Sequence, residues 1–432
     1  MICDNLSVSE NGRLQFAGLD CVDLATEYGT PLYLMDEARI RERCRTYIDA
    51  ANDAFSGNCR ILYASKAASF KRIYEILETE GMGIDVVSQG EIYTAMKANF
   101  PLSRAYFHSN NKTDEDIKFA IENGIGYFVV DNEEELLAVE AAARRAGIVQ
   151  DILLRLTPGV DPHTYAAITT GLVDSKFGLA IETGQAEEMT KLALALPNVK
   201  LCGFHCHVGS QIFDSEVYLK TSTVMLKFIA DMKAKYGYVA SQLDIGGGYG
   251  VRYTEADPVI DIAANIHQVA DHMKQLAAEL DIEMPMVCFE PGRSIVADAG
   301  MTLYTAGTIK KIPGYKTYVS VDGGMTDNVR FAVYGAPYTF MAAFHLNEEN
   351  NMHCSIVGRC CESGDILQEN VDLPSGITRG CVIACLTTGA YHYSMASNYN
   401  RLPRPPIVMI NEGKTYVAVE RESLEDITHL DV

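Results

Sequence analysis

Between residues 60 and 290 the chain alternates short apolar runs with longer amphipathic stretches. The runs are R-I-L-Y-A (60–64), G-I-D-V-V (83–87), R-A-Y-F (104–107), Y-F-V-V (127–130), I-L-L-R-L (152–156), L-C-G-F-H-C (201–206), Q-L-D-I (242–245) and M-V-C-F-E (286–290). Between them stand helical patterns such as F-K-R-I-Y-E-I-L-E-T-E-G, T-D-E-D-I-K-F-A-I-E-N-G and E-E-E-L-L-A-V-E-A-A-A-R-R-A-G. In the second of these, Ile117, Ala120 and Ile121 recur at i, i+3 and i+4, Thr113 is placed to cap the start, and Gly124 closes the end. Strand and helix in strict alternation imply parallel strands joined by crossovers. Eight strands predict a (β/α)8 TIM-type barrel, although an open doubly wound sheet has the same local pattern.

After residue 295 the texture changes. L-Y-T-A-G-T-I-K-K, K-T-Y-V-S-V, C-S-I-V-G-R, C-V-I-A-C-L-T-T and K-T-Y-V-A-V-E are separated by turn-rich Gly, Pro, Asn and Asp segments without a long helical pattern. This predicts a C-terminal antiparallel β domain, barrel-like or sandwich-like. Near the N-terminus, R-L-Q-F-A-G and a short helical pattern ending at Gly29 are placed to add a strand to it. The expected division is a barrel over 31–294 and a β domain assembled from 1–30 and 295–432.

Composition narrows the function. The 432 residues carry 36 Lys+Arg against 57 Asp+Glu, a formal net charge of −21. So acidic a surface repels phosphate backbones and anionic lipid, which disfavours nucleic-acid and membrane partners. No run of 18 apolar residues offers a bilayer span, and M-I-C-D-N-L-S-V-S-E lacks the basic flank and apolar stretch of a signal peptide, so a cytoplasmic location is expected. The twelve Cys then read as mostly free, buried thiols. Cys202, His205, Cys206 and His207 suggest metal ligands, but on a strand the two His and the two Cys point to opposite faces. Cys381 and Cys385 share a face about 13 Å apart, too far to share a zinc. No metal is expected.

Four groups stand directly after predicted strands, the end at which barrel enzymes build their sites. After the first, Y-A-S-K-A places Lys66 at the strand edge; alone it reads as a solvated rim residue, yet a Schiff-base lysine belongs there too. After the sixth comes H-V-G-S-Q with His207 and Ser210, and a lone strand His is more often a core residue. After the seventh, D-I-G-G-G-Y-G is either a tight turn or a cradle whose bare amides approach a phosphate; Val251 breaks the dinucleotide fingerprint. After the eighth, E-P-G-R offers Glu290 and Arg293, otherwise a salt-bridged turn. A lysine, a carboxylate and a phosphate cradle at one mouth point to pyridoxal 5′-phosphate.

With these motifs the sequence resembles the fold-type III, alanine-racemase-like pyridoxal-dependent decarboxylases over nearly its whole length. D-S-K-F-G (174–178), D-G-G-M-T-D-N-V-R (322–330), C-E-S-G-D (361–365), G-A-Y (389–391) and Y-S-M-A-S-N-Y-N extend the match, toward the diaminopimelate branch. The resemblance implies decarboxylation of meso-2,6-diaminopimelate to L-lysine and CO2, the last step of lysine biosynthesis; the alternative is another basic amino acid or carboxynorspermidine. A racemase or a non-catalytic relative is less compatible with the full constellation. By resemblance Lys66 is the Schiff-base lysine, His207 stacks on the cofactor ring and Glu290 pairs with its nitrogen. Asp85, Ser210, Gly246, Gly247, Gly248, Pro291, Gly292, Arg293 and Tyr391 are further cofactor-side candidates. On the substrate side the resemblance implies that Arg293, Arg330 and Tyr334 hold a carboxylate, Glu362 an ammonium, and Tyr391 both ligands. Cys361 is implied as proton donor, and Cys361 and Glu362 as reaching a neighbouring subunit's site, hence a homodimer with shared active sites. Three positions depart from the family's pattern: Cys360 beside Cys361, Phe331 where proline is frequent, and Tyr165 where many members have a second His.

Overall fold

The computed structural model describes residues 1–161 and 175–432. Tyr165, and Asp174 of D-S-K-F-G, lie outside the described residues. The chain forms two compact units, Arg43–Gly250 with Val259–Gly292, and Met1–Glu42 with Val251–Pro258 and Arg293–Val432.

The first unit is the barrel. Its strands are β1 (Cys59–Ala64), β2 (Gly83–Val86), β3 (Ala105–Phe107), β4 (Tyr127–Val130), β5 (Gln150–Thr157), β6 (Val199–His205), β7 (Gln242–Asp244) and β8 (Met286–Phe289). Each pairs in parallel with the next, and β8 pairs with β1, so the sheet closes. Closure removes the open-sheet alternative. All eight strands stand within two residues of the runs read from the sequence. Leu62, Tyr106, Val129, Leu153 and Cys288, from five different strands, fill the interior as one buried layer. The crossover helices follow the cap logic: Thr113 and Asp116 form a reciprocal capping box on Asp114–Glu122, and Gly147, at φ 70°, ends Glu133–Ala146.

The second unit is built around a sheet of order Ile366–Leu373, Met352–Val357, Lys316–Val321, Gly300–Ile312, Leu32–Asp36, Ile407–Asn411, Lys414–Val419, with Val382–Leu386 bridging Gly300–Ile312 and Phe340–Ala342. It differs from the expectation in three ways. Leu32–Asp36, inside the span expected for the barrel, pairs with Gly300–Ile312 and Ile407–Asn411 instead. Its five residues are all buried, and so short an apolar run reads equally well as a barrel strand. The sheet is mainly antiparallel, but Lys316–Val321 with Met352–Val357, and Leu32–Asp36 with Ile407–Asn411, run parallel. The N-terminal strands Leu6–Val8, Leu14–Phe16 and Leu19–Asp20 form a small sheet of their own, packed through Leu14 and Phe16 into the core of Leu34, Leu303 and Val408.

Candidate active site

Because the barrel strands are parallel, whatever follows each of them arrives at one mouth. Lys66 occupies the single turn Ser65–Ala67 directly after β1, with an exposed side chain. Asp85 lies in β2, His108 one residue past β3, Arg155 in β5, and Asp244 ends β7; all are buried. His205 ends β6, His207 follows two residues on, and Glu290 stands one past β8.

Glu290 organises this ring. Its Oε2 lies 3.1 Å from His205 Nε2 and its Oε1 2.8 Å from His108 Nε2, and the two imidazoles meet edge-on at 4.8 Å. Burial alone would push Glu290 up, but His108 and His205 hold it well below the usual carboxylate range. The neighbouring acids go the other way. Burial, then Glu290's charge against the pull of His108, brings Asp85 up to about 6. Burial and Glu290 also push Asp244 well above its ordinary value. Glu290 is thus held as an anion between two acids whose ionisation is opposed. The donor atoms of His108, His205 and Glu290 fall within 4.8 Å of one another, the one such group among the described residues. Ligands about 2.0–2.2 Å from a tetrahedral ion stand roughly 3.4 Å apart, so contacts of 2.8 and 3.1 Å are closer than an ion between them would allow; the His205 contact is a hydrogen bond and the His108 contact an ion-pair approach.

His207 is pushed well below its usual value by burial, and then by the charges of Lys66 and Arg155. Its ring is therefore neutral, and its Nδ1 accepts the Gly247 N–H at 3.3 Å. The glycine triplet works mostly by close approach. A Cβ on Gly247 would stand 2.0 Å from the Glu290 carbonyl oxygen, and one on Gly248, at φ 109°, would stand 2.4 Å from the Gly209 carbonyl oxygen. Gly246 donates to Asp244 Oδ1 at 2.8 Å, so two of the three amides have partners within the chain.

In the other unit, the structure brings Arg293, Arg330, Tyr334 and Tyr391 together. Two guanidiniums approach the Tyr391 ring, Arg293 at 4.7 Å and Arg330 at 5.1 Å from its centre, and Arg330 also covers Tyr334 at 5.2 Å. Both arginines are buried. Arg293 donates to the Tyr253 hydroxyl at 2.6 Å, whereas Arg330 Nε, Tyr338 OH and His392 Nε2 are buried without a hydrogen-bond partner. Cys361 and Glu362 sit on an exposed turn. Asp365 knits that turn to D-G-G-M: it accepts the Cys360 N–H at 2.7 Å and the Met325 N–H at 2.6 Å. Cys361 N–H donates to Asn400 Oδ1 at 2.8 Å. Burial, with Asp365 beside it, pushes the half-buried Cys360 thiol up to about 12.

Residues 37–297 match the family model described as the pyridoxal binding domain of pyridoxal-dependent decarboxylases. The chain belongs to the pyridoxal-dependent decarboxylase family. Among its relatives are the diaminopimelate decarboxylases of Bacillus subtilis (strain 168), 43% identical over 98% of this chain and 96% of that protein, and of Staphylococcus aureus (strain COL), 42% identical over 97% of each. The solved structure of the M. jannaschii diaminopimelate decarboxylase in complex with L-lysine superimposes with a TM-score of 0.92 at 33% identity, covering 100% of this chain and 98% of that one. A Vibrio vulnificus lysine/ornithine decarboxylase bound to putrescine gives 0.75 at 25% identity, over 90% and 98%.

Pyridoxal 5′-phosphate is the family's cofactor and this enzyme's. The donor set fits it: a lysine amine at the barrel mouth, one buried carboxylate kept anionic, and a flat neutral imidazole. Sequence reasoning missed His108, Tyr253, Tyr338 and His392, and set His205 aside. The rule that found Lys66 and Glu290, a polar residue directly past a strand, also applies to His108.

Proposed function

We infer that the chain removes a carboxylate from meso-2,6-diaminopimelate, giving L-lysine and CO2, as a cytoplasmic homodimer with shared active sites. The observation that carries the substrate is Arg330. A buried guanidinium whose Nε has no protein partner, set with Arg293 against the ring of Tyr391, is the chemistry that receives an anion. Diaminopimelate brings a distal carboxylate to such a pocket; ornithine and lysine bring none.

Bound pyridoxal phosphate supplies an electron-poor ring that takes up the charge left when CO2 departs. Lys66 holds its carbonyl carbon, with Asp85 close by. Glu290 presents an anion to the ring nitrogen and His207 its flat face. In the barrel, Ser210, Gly248 and Gly292 would take the phosphate side, while Gly246, Gly247 and Pro291 shape the loops. Glu362 pairs with the distal ammonium beside Arg330, Tyr334 and Arg293. Cys361 returns the proton, while burial raises the neighbouring Cys360 thiol to about 12. Cysteines 360 and 361 lie in a bend rather than a strand. Twelve unpaired thiols support a reducing compartment, and no helix among the described residues is long and apolar enough to cross a membrane.

A substrate panel tests the reading: CO2 is expected from meso-diaminopimelate, and release from ornithine or lysine instead would overturn it. Mixing Lys66→Ala with Cys361→Ala protein tests sharing. With random exchange, half the dimers carry one intact site, so about a quarter of wild-type activity returns; no recovery in exchanged heterodimers would exclude shared sites.

A further inference from the structure

Glu290 is ascribed to the ring nitrogen, but nothing in that role explains two histidines on the same carboxylate. His108 comes from the loop after β3 and His205 from the end of β6, on different sides of the closed barrel. His205 Nε2 hydrogen-bonds Oε2 of Glu290 at 3.1 Å, and His108 Nε2 stands 2.8 Å from the other oxygen, Oε1, at ion-pair distance. All three side chains are buried, so the arrangement gains nothing from solvent. His205 Nδ1 is buried with no hydrogen-bond partner. A proton there would be orphaned, so the His205 proton sits on Nε2, aimed at Glu290.

We propose that His108 and His205 are positioning residues that clamp Glu290 in one orientation and hold it as an anion for the cofactor nitrogen. The proposal rests on the pyridoxal-dependent reading of the site. Without the His205 N–H and the His108 ring against it, a buried carboxylate would rather protonate or turn than remain charged. The surroundings give little help: Asp85 from β2 and Asp244 from β7 oppose a further negative charge, as do the Cys206 and Cys288 thiols if ionised. Arg155 from β5 faces Glu290 and acts in the anion's favour, the neutral His207 adds no charge, and the Lys66 ammonium after β1 acts on His205, His207 and Asp85. The clamp also fits the contrast among the three acids: Glu290 has both imidazoles within 3.1 Å, whereas Asp85 has only His108, at 3.9 Å, and is raised by burial all the same.

The experiment compares full-length wild type with His205→Leu, which removes the donor, His205→Gln, whose amide N–H reaches the position of Nε2, and the pair His108→Gln/His205→Gln. For His205→Leu the expected result is a fall in kcat of about tenfold or more with KM within about twofold, as for loss of an interaction made at the reacting stage. The acid limb of the kcat profile should move to higher pH, because Glu290 then protonates more readily. His205→Gln should recover most of kcat and of the limb. Independently of turnover, 15N-histidine NMR should show a His205 Nε2–H signal, and it and the His108 ring signals should both shift in Glu290→Gln. An unchanged acid limb in His205→Leu, or equal loss in the Leu and Gln variants, would overturn the clamp. So would imidazole signals indifferent to Glu290→Gln. If wild type releases CO2 from none of the amino acids while those signals do respond, the substrate assignment fails and the clamp stands.

Discussion

Glu290 and Asp85 are both buried carboxylates at the barrel mouth, yet the first is held low and the second is raised to about 6, and the difference is which of them the imidazoles reach. Glu290→Gln keeps the shape and removes the charge. It should lower kcat about a hundredfold or more while bound cofactor, read by absorbance, changes little. Asp327 is a different case. Burial brings it up to about 7 although it accepts the Tyr304 hydroxyl and the Gly324 N–H. An acid whose folded value is raised weakens the fold as pH climbs from its unfolded value, about 3.9, through the folded one. Asp327→Asn should therefore compare better with wild type in thermal melts at pH 8 than at pH 5, and a constant difference across that range would contradict the assignment. At this scale the sequence was readable where a motif named the residue, as with Lys66, His207 and Glu290. His108 carries no motif. Tyr338 and His392 are marked only by what surrounds them, since an orphaned buried hydroxyl has no signature in one dimension.

The turns after β6, β7 and β8 are held together by missing side chains. Gly247 lies against the Glu290 carbonyl, Gly248 against Gly209, and Gly292 would put a Cβ 2.8 Å from that of Ala64. Gly247→Ala must therefore move the backbone that carries Glu290. It should cost about 2 kcal/mol or more in stability and weaken cofactor binding together, read by denaturant melts and by titration with pyridoxal phosphate. Equal stability with weakened binding would instead point to a direct amide contact. Elements of the barrel were legible because burial from both sides leaves continuous apolar runs, and helices between them announce themselves by period and cap. The β unit was less so. Its strands are paired by residues hundreds of positions apart, and nothing local in Leu32–Asp36 states that its neighbours are Gly300–Ile312 and Ile407–Asn411.

For the whole molecule, that pairing means neither unit is a single stretch of chain. The β unit takes Met1–Glu42, Val251–Pro258 and Arg293–Val432, and the barrel takes what lies between. A protein ended after Gly292 keeps all eight barrel strands but leaves Leu32–Asp36 with an unpaired edge on each side, and the apolar Leu14, Phe16, Leu32 and Leu34 without Leu303, Val408 and Ile410. It should be recovered mostly in aggregates, or as a soluble form that binds a hydrophobic dye strongly; a monodisperse protein with native-like ellipticity would show the barrel to be self-sufficient. The order of synthesis sharpens the point. Asp36 leaves the ribosome early, while its parallel partner Ile407–Asn411 follows about 370 residues later, on the order of 20–75 s at usual elongation rates. Until then the largely apolar strand L-Y-L-M-D keeps an edge unpaired, so the yield of folded protein in a cell should respond to translation speed and chaperone supply.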